Sequence, residues 1–261
     1  MAKKKSTATR RAESQAASER AAAIREQQER LERRRRTVAV SAAVLVVLAL
    51  IFGIGYAVQS SRDTTGQSAT PPAAAVKYGI PVGASSAPVT VSIYEDFMCP
   101  ICGALESASR SWLQQYVDRG KVRVDYHVIS ILDRSSNGSE YSTRSANAMA
   151  VVLDTKGVKV AKKFHDLLYE NQPSEGSSGL TDQQLIDLAV KAGAARAAVT
   201  KPIKDRAFEQ WVKNGTDAAS KLPDFQGTPT AYVNGKKLGG YQTMDQMSAL
   251  LRQAIDAKQA G

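Results

Sequence analysis

The sequence predicts an α/β fold with a strand–helix–strand unit, a helical block, and a strand–strand–helix ending. Three observations carry this. Two runs of alternating apolar residues flank a helical pattern between residues 89 and 130. From about 140 to 222, apolar residues recur at helical spacing. After Pro229, two short runs are separated by Asn234-Gly235, a strong two-residue hairpin signal.

The elements follow in order. Val89 to Phe97 (VTVSIYEDF) places Val89, Val91 and Ile93 on one face and reads as a strand. Pro100 to Val117 reads as a helix, with Leu105, Trp112, Leu113 and Tyr116 near one face. Pro100 suits the first helical position, where its missing N–H costs nothing. Val122 to Ser130 (VRVDYHVIS) is a second strand, so the unit implies a parallel pair joined by a right-handed crossover. In the helical block the apolar positions include Ala148, Val151, Val152, Phe164, Leu167, Leu168, Leu185, Leu188, Ala189, Phe208 and Trp211. Gly176 to Gly179 interrupts it, and Thr181 with Gln184 forms a capping-box pattern that opens the next helix. Thr230 to Val233 and Lys236 to Gly239 are the hairpin arms, and Thr243 to Lys258 is a closing helix.

Three segments precede this domain, which is expected to start near Val76. Residues 1–36 hold twelve Lys/Arg against five Glu and lack an apolar stripe. They read as a solvated or membrane-surface tail. The whole chain carries +10, of which the tail accounts for +7. The remainder is close to balanced, with no basic stripe of the kind a phosphate backbone needs, so nucleic acid is not an expected partner. Thr37 to Val58 contains no charged residue and is long enough, as a helix, to cross about 30 Å of hydrocarbon. A buried core helix would need a polar stripe, and a signal peptide has a shorter charged leader. An uncleaved anchor fits both constraints. Arg33 to Arg36 then hold the N-terminus cytoplasmic, with the C-terminal domain facing an oxidising exterior and the anchor in contact with membrane lipid. Residues 59–75 are small, polar and proline-containing, and read as a flexible linker.

The chemistry concentrates in Tyr94-Glu95-Asp96-Phe97-Met98-Cys99-Pro100-Ile101-Cys102, which holds the chain's only two cysteines. A strand ends just before them and a helix begins on them. Cys99 would sit at the helix N-terminus, where free N–H groups and the helix dipole stabilise a thiolate, the reactive form of a thiol. Cys102, one turn further in, would be the resolving thiol. Zinc would need about four ligands, and beyond this pair only His127 and His165 could join. A structural disulfide across so short a loop would restrain the unfolded chain little. No metal is therefore expected, and the redox pair itself replaces a cofactor. His127 reads as a packed strand residue, His165 as a surface residue beside Lys162 and Lys163, and Trp112 and Trp211 as packing residues.

The segment YEDFMCPIC, the later GTPT (Gly227 to Thr230) and the Asn-Gly hairpin resemble the DsbA-like branch of the thioredoxin superfamily, in its membrane-anchored Gram-positive form. The resemblance covers roughly residues 76–261 and implies a thioredoxin-like fold interrupted by a helical insertion. It also implies that Cys99 is the nucleophile and Cys102 the resolving cysteine. Thr228–Pro229 would be a cis peptide whose loop pairs with an extended substrate strand. The residues alone favour a trans proline opening an edge strand. Pro100 and Ile101 lie between the cysteines and support the site. Many relatives carry a buried acid six residues before the first cysteine; Ile93 stands there in this chain. Glu95 shares its face by strand alternation and is expected to move protons to or from Cys102. Ile101 offers no charge or donor to a Cys99 thiolate, and Thr228 is more like isomerase-type members. The implied activity is disulfide introduction into exported proteins with thiols, with reoxidation by a membrane partner of DsbB or VKOR type. A reductase or isomerase of the same fold is the alternative, as is a binding or chaperone module with a structural disulfide.

Overall fold

The structure is a computed structural model that describes residues 67–259. The basic tail, the apolar segment 37–58 and the first part of the linker lie outside the described residues. Among the described residues, no helix is long and apolar enough to cross a membrane.

Five strands form one sheet: β1 (Ile80–Val82), β2 (Val89–Glu95), β3 (Val122–Val128), β4 (Thr230–Val233) and β5 (Lys236–Lys237), in the order β1-β3-β2-β4-β5. β2 and β3 run parallel, pairing Val89 with Val122 through to Glu95 with Val128. The other pairings are antiparallel. Among the described residues there are also six α-helices: α1 (Pro100–Asp118), α2 (Tyr141–Glu170), α3 (Asp182–Ala192), α4 (Arg196–Lys204), α5 (Glu209–Ser220) and α6 (Met244–Gln259). A short 3-10 turn (Asp133–Ser135) lies before α2. α1 joins β2 to β3 as the parallel crossover and packs against α6. Helices α2 to α5 stand between β3 and β4, where the helical insertion is expected.

The sheet is central because its middle strand is buried on alternate residues: Val89, Val91, Ile93 and Glu95 are inward on β2. Their β3 neighbours Val122, Val124, Tyr126 and Val128 continue that face. Burial of these aliphatic side chains, with Leu105 and Leu113 of α1 and Leu251 and Ile255 of α6, makes the core. On the other face Tyr94 stacks on His127 at 4.4 Å, with Tyr232 edge-on at 5.8 Å. Trp211 is buried and donates its indole N–H to the Lys77 carbonyl at 3.2 Å, while Trp112 donates to the Ser248 hydroxyl at 3.0 Å.

Three features differ from the sequence reading. β1 escaped it, because three residues with a central Pro81 carry too little periodicity to register; an edge position suits that proline. Helix α2 breaks at Gly157, which takes φ 71° and ψ −178°, a conformation only glycine adopts readily. Residues 67–75, read as the end of a linker, lie against the domain. Ala73 donates its N–H to Asp154 at 2.9 Å, and Asn214 donates to the Gln67 carbonyl at 2.9 Å.

The Thr181 hydroxyl accepts from the Gln184 N–H at 3.2 Å and the Gln184 side chain accepts from the Thr181 N–H at 2.8 Å, the reciprocal pair of a capping box. Thr181→Ala should cost about 1 kcal/mol of stability in urea unfolding, with the redox chemistry of the cysteines unchanged.

Candidate active site

Strand β2 ends at Glu95, and the next four residues turn the chain into α1. Asp96 makes that turn. One of its oxygens accepts from the Met98 N–H at 2.9 Å and from the Ser142 hydroxyl at 2.7 Å. The other accepts from the Leu132 N–H at 3.0 Å. Asp96 thus ties the β2–α1 turn to the loop after β3 and to the first turn of α2. Burial pushes its carboxyl up to about 7, although the bonds from Met98, Ser142 and Leu132 oppose the rise.

Cys99 is the N-cap of α1 and Pro100 its first residue. Cys99 and Cys102 are both free thiols in the structure. The Cys99 thiol donates to the Thr228 carbonyl at 3.5 Å, so the Thr228–Pro229 peptide, which is cis, lies directly across from it. The Cys102 thiol hydrogen-bonds Cys99 and is the largest influence lowering its pKa; burial opposes it. Thr228 and the N–H groups of Cys102 and Ile101 add to the lowering, and the result is about 6. Backbone donors at a helix N-terminus therefore replace the charge or donor that Ile101 lacks. Cys102 is pushed the other way, well above the ordinary thiol value, by burial and by its neighbour Cys99. Pro100 and Ile101 are both exposed, Ile101 by 50%, and form the outer rim beside Cys99. Gln172 braces the turn, donating to the Cys99 carbonyl at 2.8 Å and the Phe97 carbonyl at 3.1 Å. Gly103 makes room for it: a Cβ there would stand 2.2 Å from the Gln172 amide oxygen.

Glu95 is buried on the Ile93 face, as strand alternation predicts. Its Oε1 lies 2.6 Å from Nε2 of His165. The reading of His165 as a surface residue is corrected here. It is fully buried beneath the site, because the helical block folds the second half of α2 over the inward face of the sheet. Lys163 alone of that trio is exposed. Burial by itself would lower His165, but Glu95, Glu106 and Asp166 outweigh it and hold the imidazole near 9. Glu95 is raised by burial, with His165 pulling it back. One proton shared across the 2.6 Å contact and resident on His165 accounts for both directions. His127, by contrast, is pushed down to about 4 by burial and stays neutral.

Glu106, His165 and Asp166 bring possible metal-ligand atoms within 4.8 Å of one another. Arg110 Nε at 2.9 Å and Lys162 Nζ at 3.6 Å from Glu106 already neutralise that group, and two cations beside it disfavour a third. Of the residues singled out in the sequence, the structure brings Cys99, Cys102 and Thr228–Pro229 together and places Glu95 buried at the end of β2. Sequence reasoning missed Asp96 as the turn's anchor, Gln172 as a brace, and the His165–Glu106 group. The i,i+4 spacing of Cys102 with Glu106 is visible in the chain, but the approach of α2 is not.

Comparison with known proteins extends this picture. The family model described as Thioredoxin matches residues 75–253. The reduced crystal structure of DsbA from Mycobacterium tuberculosis is 30% identical at a TM-score of 0.57, covering 70% of this chain and 98% of that one. Disulfide bond formation protein D of Bacillus subtilis is 26% identical over 183 residues, 69% of this chain and 79% of that protein. Serine/threonine-protein kinase PknE of M. tuberculosis is 31% identical over 179 residues; this is 66% of the chain but only 31% of the kinase's length.

Two measurements check these assignments. The thiolate absorbance of the reduced protein should titrate with a midpoint near 6, against about 8.5 for a free cysteine, and Cys99→Ser should remove that transition. Asp96, protonated up to about 7 in the folded protein but only to the ordinary carboxylate value of 3.8 unfolded, makes the native state bind the extra proton between these values. Its contribution to stability is thus full below the lower value and is lost as pH rises to the upper one. In Asp96→Asn, urea unfolding across pH 4 to 7 should lose that downward slope.

Proposed function

Since this chain belongs to the thioredoxin family and is a DsbA-type thiol–disulfide oxidoreductase, we propose that it introduces disulfides into exported proteins through Cys99 and Cys102. The observation that carries this reading is the asymmetry of the two thiols. Cys99 is held near 6 at a helix N-terminus, and Cys102 is buried and pushed well above 9.0. A stabilised Cys99 thiolate favours the reduced pair, which makes the oxidised pair a stronger oxidant.

In the proposed cycle a substrate thiolate attacks Sγ of Cys99 in the disulfide. A substrate–Cys99 bond forms, the Cys99–Cys102 bond breaks, and Cys102 leaves as a thiolate that takes a proton. A second substrate thiolate then attacks the substrate sulfur of the mixed disulfide. The substrate leaves oxidised and Cys99 leaves as a thiolate, with both electrons now on the dithiol. Glu95, buried at the end of β2, serves as an acid for this proton traffic. The cis Thr228–Pro229 loop, across from Cys99, offers backbone groups to an extended substrate segment. Pro100 and Ile101 form the rim that the substrate meets. Reoxidation falls to a membrane partner of DsbB or VKOR type. The apolar segment 37–58, followed by a domain with a free cysteine pair, supports placement on the outer side of the membrane, anchored in lipid, N-terminus inside. The near-neutral charge outside the tail supports proteins rather than nucleic acid as substrates.

The reduction potential of the described domain, measured against a glutathione buffer from trapped thiols, tests this reading. A value near −120 mV is expected for a disulfide donor; one near −270 mV would overturn it in favour of a reductase. Cys99→Ser should abolish turnover while leaving the fold intact; a loss of stability without loss of exchange would instead mark a structural disulfide.

A further inference from the structure

The turn that carries Cys99 is tied down on both of its polar sides. Its N–H groups are met by Asp96, whose carboxylate accepts from Met98 at 2.9 Å and whose carbonyl accepts from Cys99 at 2.9 Å. Its carbonyls are met by Gln172, whose amide donates to Phe97 at 3.1 Å and to Cys99 at 2.8 Å. A glutamine amide has two N–H donors, and both go to these two carbonyls.

Gln172 is itself held in place. Its backbone N–H donates to the Tyr169 carbonyl at 3.2 Å, directly after Asn171 caps α2. Pro173 follows, and a residue before proline is pushed out of the helical region, so the chain turns away here. Further on, Gly176 donates to the Ser135 carbonyl at 2.7 Å. The amide is therefore presented by a segment anchored on both sides.

Gly103 is an independent sign that this contact is built. It lies inside α1, and its backbone does not take the left-handed conformation that calls for glycine. Alanine there would favour the helix by about 1 kcal/mol. Yet a Cβ at Gly103 would stand 2.2 Å from the Gln172 amide oxygen and 3.1 Å from its amide carbon. The glycine serves the side chain that lies on it, not the helix.

The consequence falls on Cys99. Its carbonyl accepts from the Cys102 N–H at 3.1 Å, from the Gly103 N–H at 3.2 Å and from Gln172 at 2.8 Å. A carbonyl oxygen has two lone pairs, so these donors share it, and Gln172 holds the shortest bond. The Cys102 N–H, at the longer distance, also serves the Cys99 sulfur, where it favours the thiolate. The Gln172 N–H groups further offset the negative ends of two carbonyl dipoles in the turn that carries this sulfur.

We propose that Gln172 is a positioning residue of the exchange reaction: reaching in from the end of α2 and admitted by Gly103, it fixes the Cys99 backbone so that the N-terminus of α1 is aimed at the sulfur. The inference rests on the oxidoreductase reading above. It assigns part of the nucleophile's reactivity to a residue 73 positions away, in the helical block rather than on the strand–helix junction itself.

Two substitutions in the full-length protein break the same contact from opposite sides. Gln172→Ala removes the amide. Gly103→Ala keeps it but pushes it off the turn, with urea stability unchanged or raised because alanine favours the helix. In both, the Cys99 thiol of the reduced protein should titrate at higher pH than in wild type. Its alkylation by iodoacetamide at pH 6 should slow by about threefold or more. The reduction potential against glutathione should become less oxidising, since the thiolate that favours the dithiol is less stable. The double variant should be no slower than either single one, because one contact is lost only once. Gln172→Glu keeps the shape and replaces the donor by a carboxylate, so its titration shift should exceed that of Gln172→Ala.

A Gln172→Ala protein that loses stability but keeps the wild-type titration, alkylation rate and potential would reduce Gln172 to a structural brace and overturn the proposal. Additive effects in the double variant would do the same. Should Gln172→Ala fail to fold, Gly103→Ala decides alone, and an unchanged titration there overturns it. These results leave exchange at Cys99, and with it the oxidoreductase reading, standing. Wild-type protein that exchanges no disulfide with glutathione would instead sink that reading.

Discussion

Asp96 brings three separate parts of the chain to one point. Its carboxylate accepts from the turn that leads into α1, from the loop after β3 and from the first turn of α2. A carboxylate with no exposure is costly unless hydrogen bonds replace its water, and these three offset part of that cost. The bonds hold the C-terminal ends of both parallel strands against the start of the helical block. They also hold Cys99 at the N-cap of α1, where the N–H groups of Ile101 and Cys102 favour its thiolate. The low pKa of Cys99, the burial of Cys102 and the seat of the cis-proline loop across from them all depend on that turn keeping its shape.

One helix turn separates the two sulfurs, yet their environments differ sharply. Cys99 borrows the helix terminus and its neighbour's thiol, whereas Cys102 faces inward over Glu106. The interior beneath Cys102 is not apolar. It is a layer of paired charges walled by Phe97, Tyr126 and Tyr169. Buried ion pairs seldom add much stability over a hydrophobic replacement. The helical block supplies much of this layer: α2 contributes His165, Asp166 and Tyr169, and Gln172, just past its end, bonds the Cys99 carbonyl.

Much of the fold was legible in the residues. Alternation marked β2 and β3, Pro100 and the capping pair at Thr181 marked helix starts, and Asn234-Gly235 marked the hairpin. These signals are local, set by side-chain period and backbone preference within a few residues. β1 was not legible, since a three-residue edge strand takes its identity from pairing with β3 rather than from its own pattern. His165 was misread for a related reason. Adjacent Lys162 and Lys163 suggest a wet helix face, but Lys162 is only 9% exposed and turns into the acidic layer with it.

The sequence by itself determined the strand–helix junction, the two cysteines on it and the face on which Glu95 lies, because each follows from spacing along a single element. Only the tertiary structure decided what those residues meet. Thr228–Pro229 reaches Cys99 across 129 positions, and His165 reaches Glu95 across 70. Such contacts are chosen by how helices pack on a sheet, which depends on the sum of buried surface and paired charge over the whole domain. No short window of sequence contains that sum. The cysteine motif is therefore legible in the chain, and the buried acids and His165 beneath it are placed by a fold that brings distant turns of α1 and α2 together.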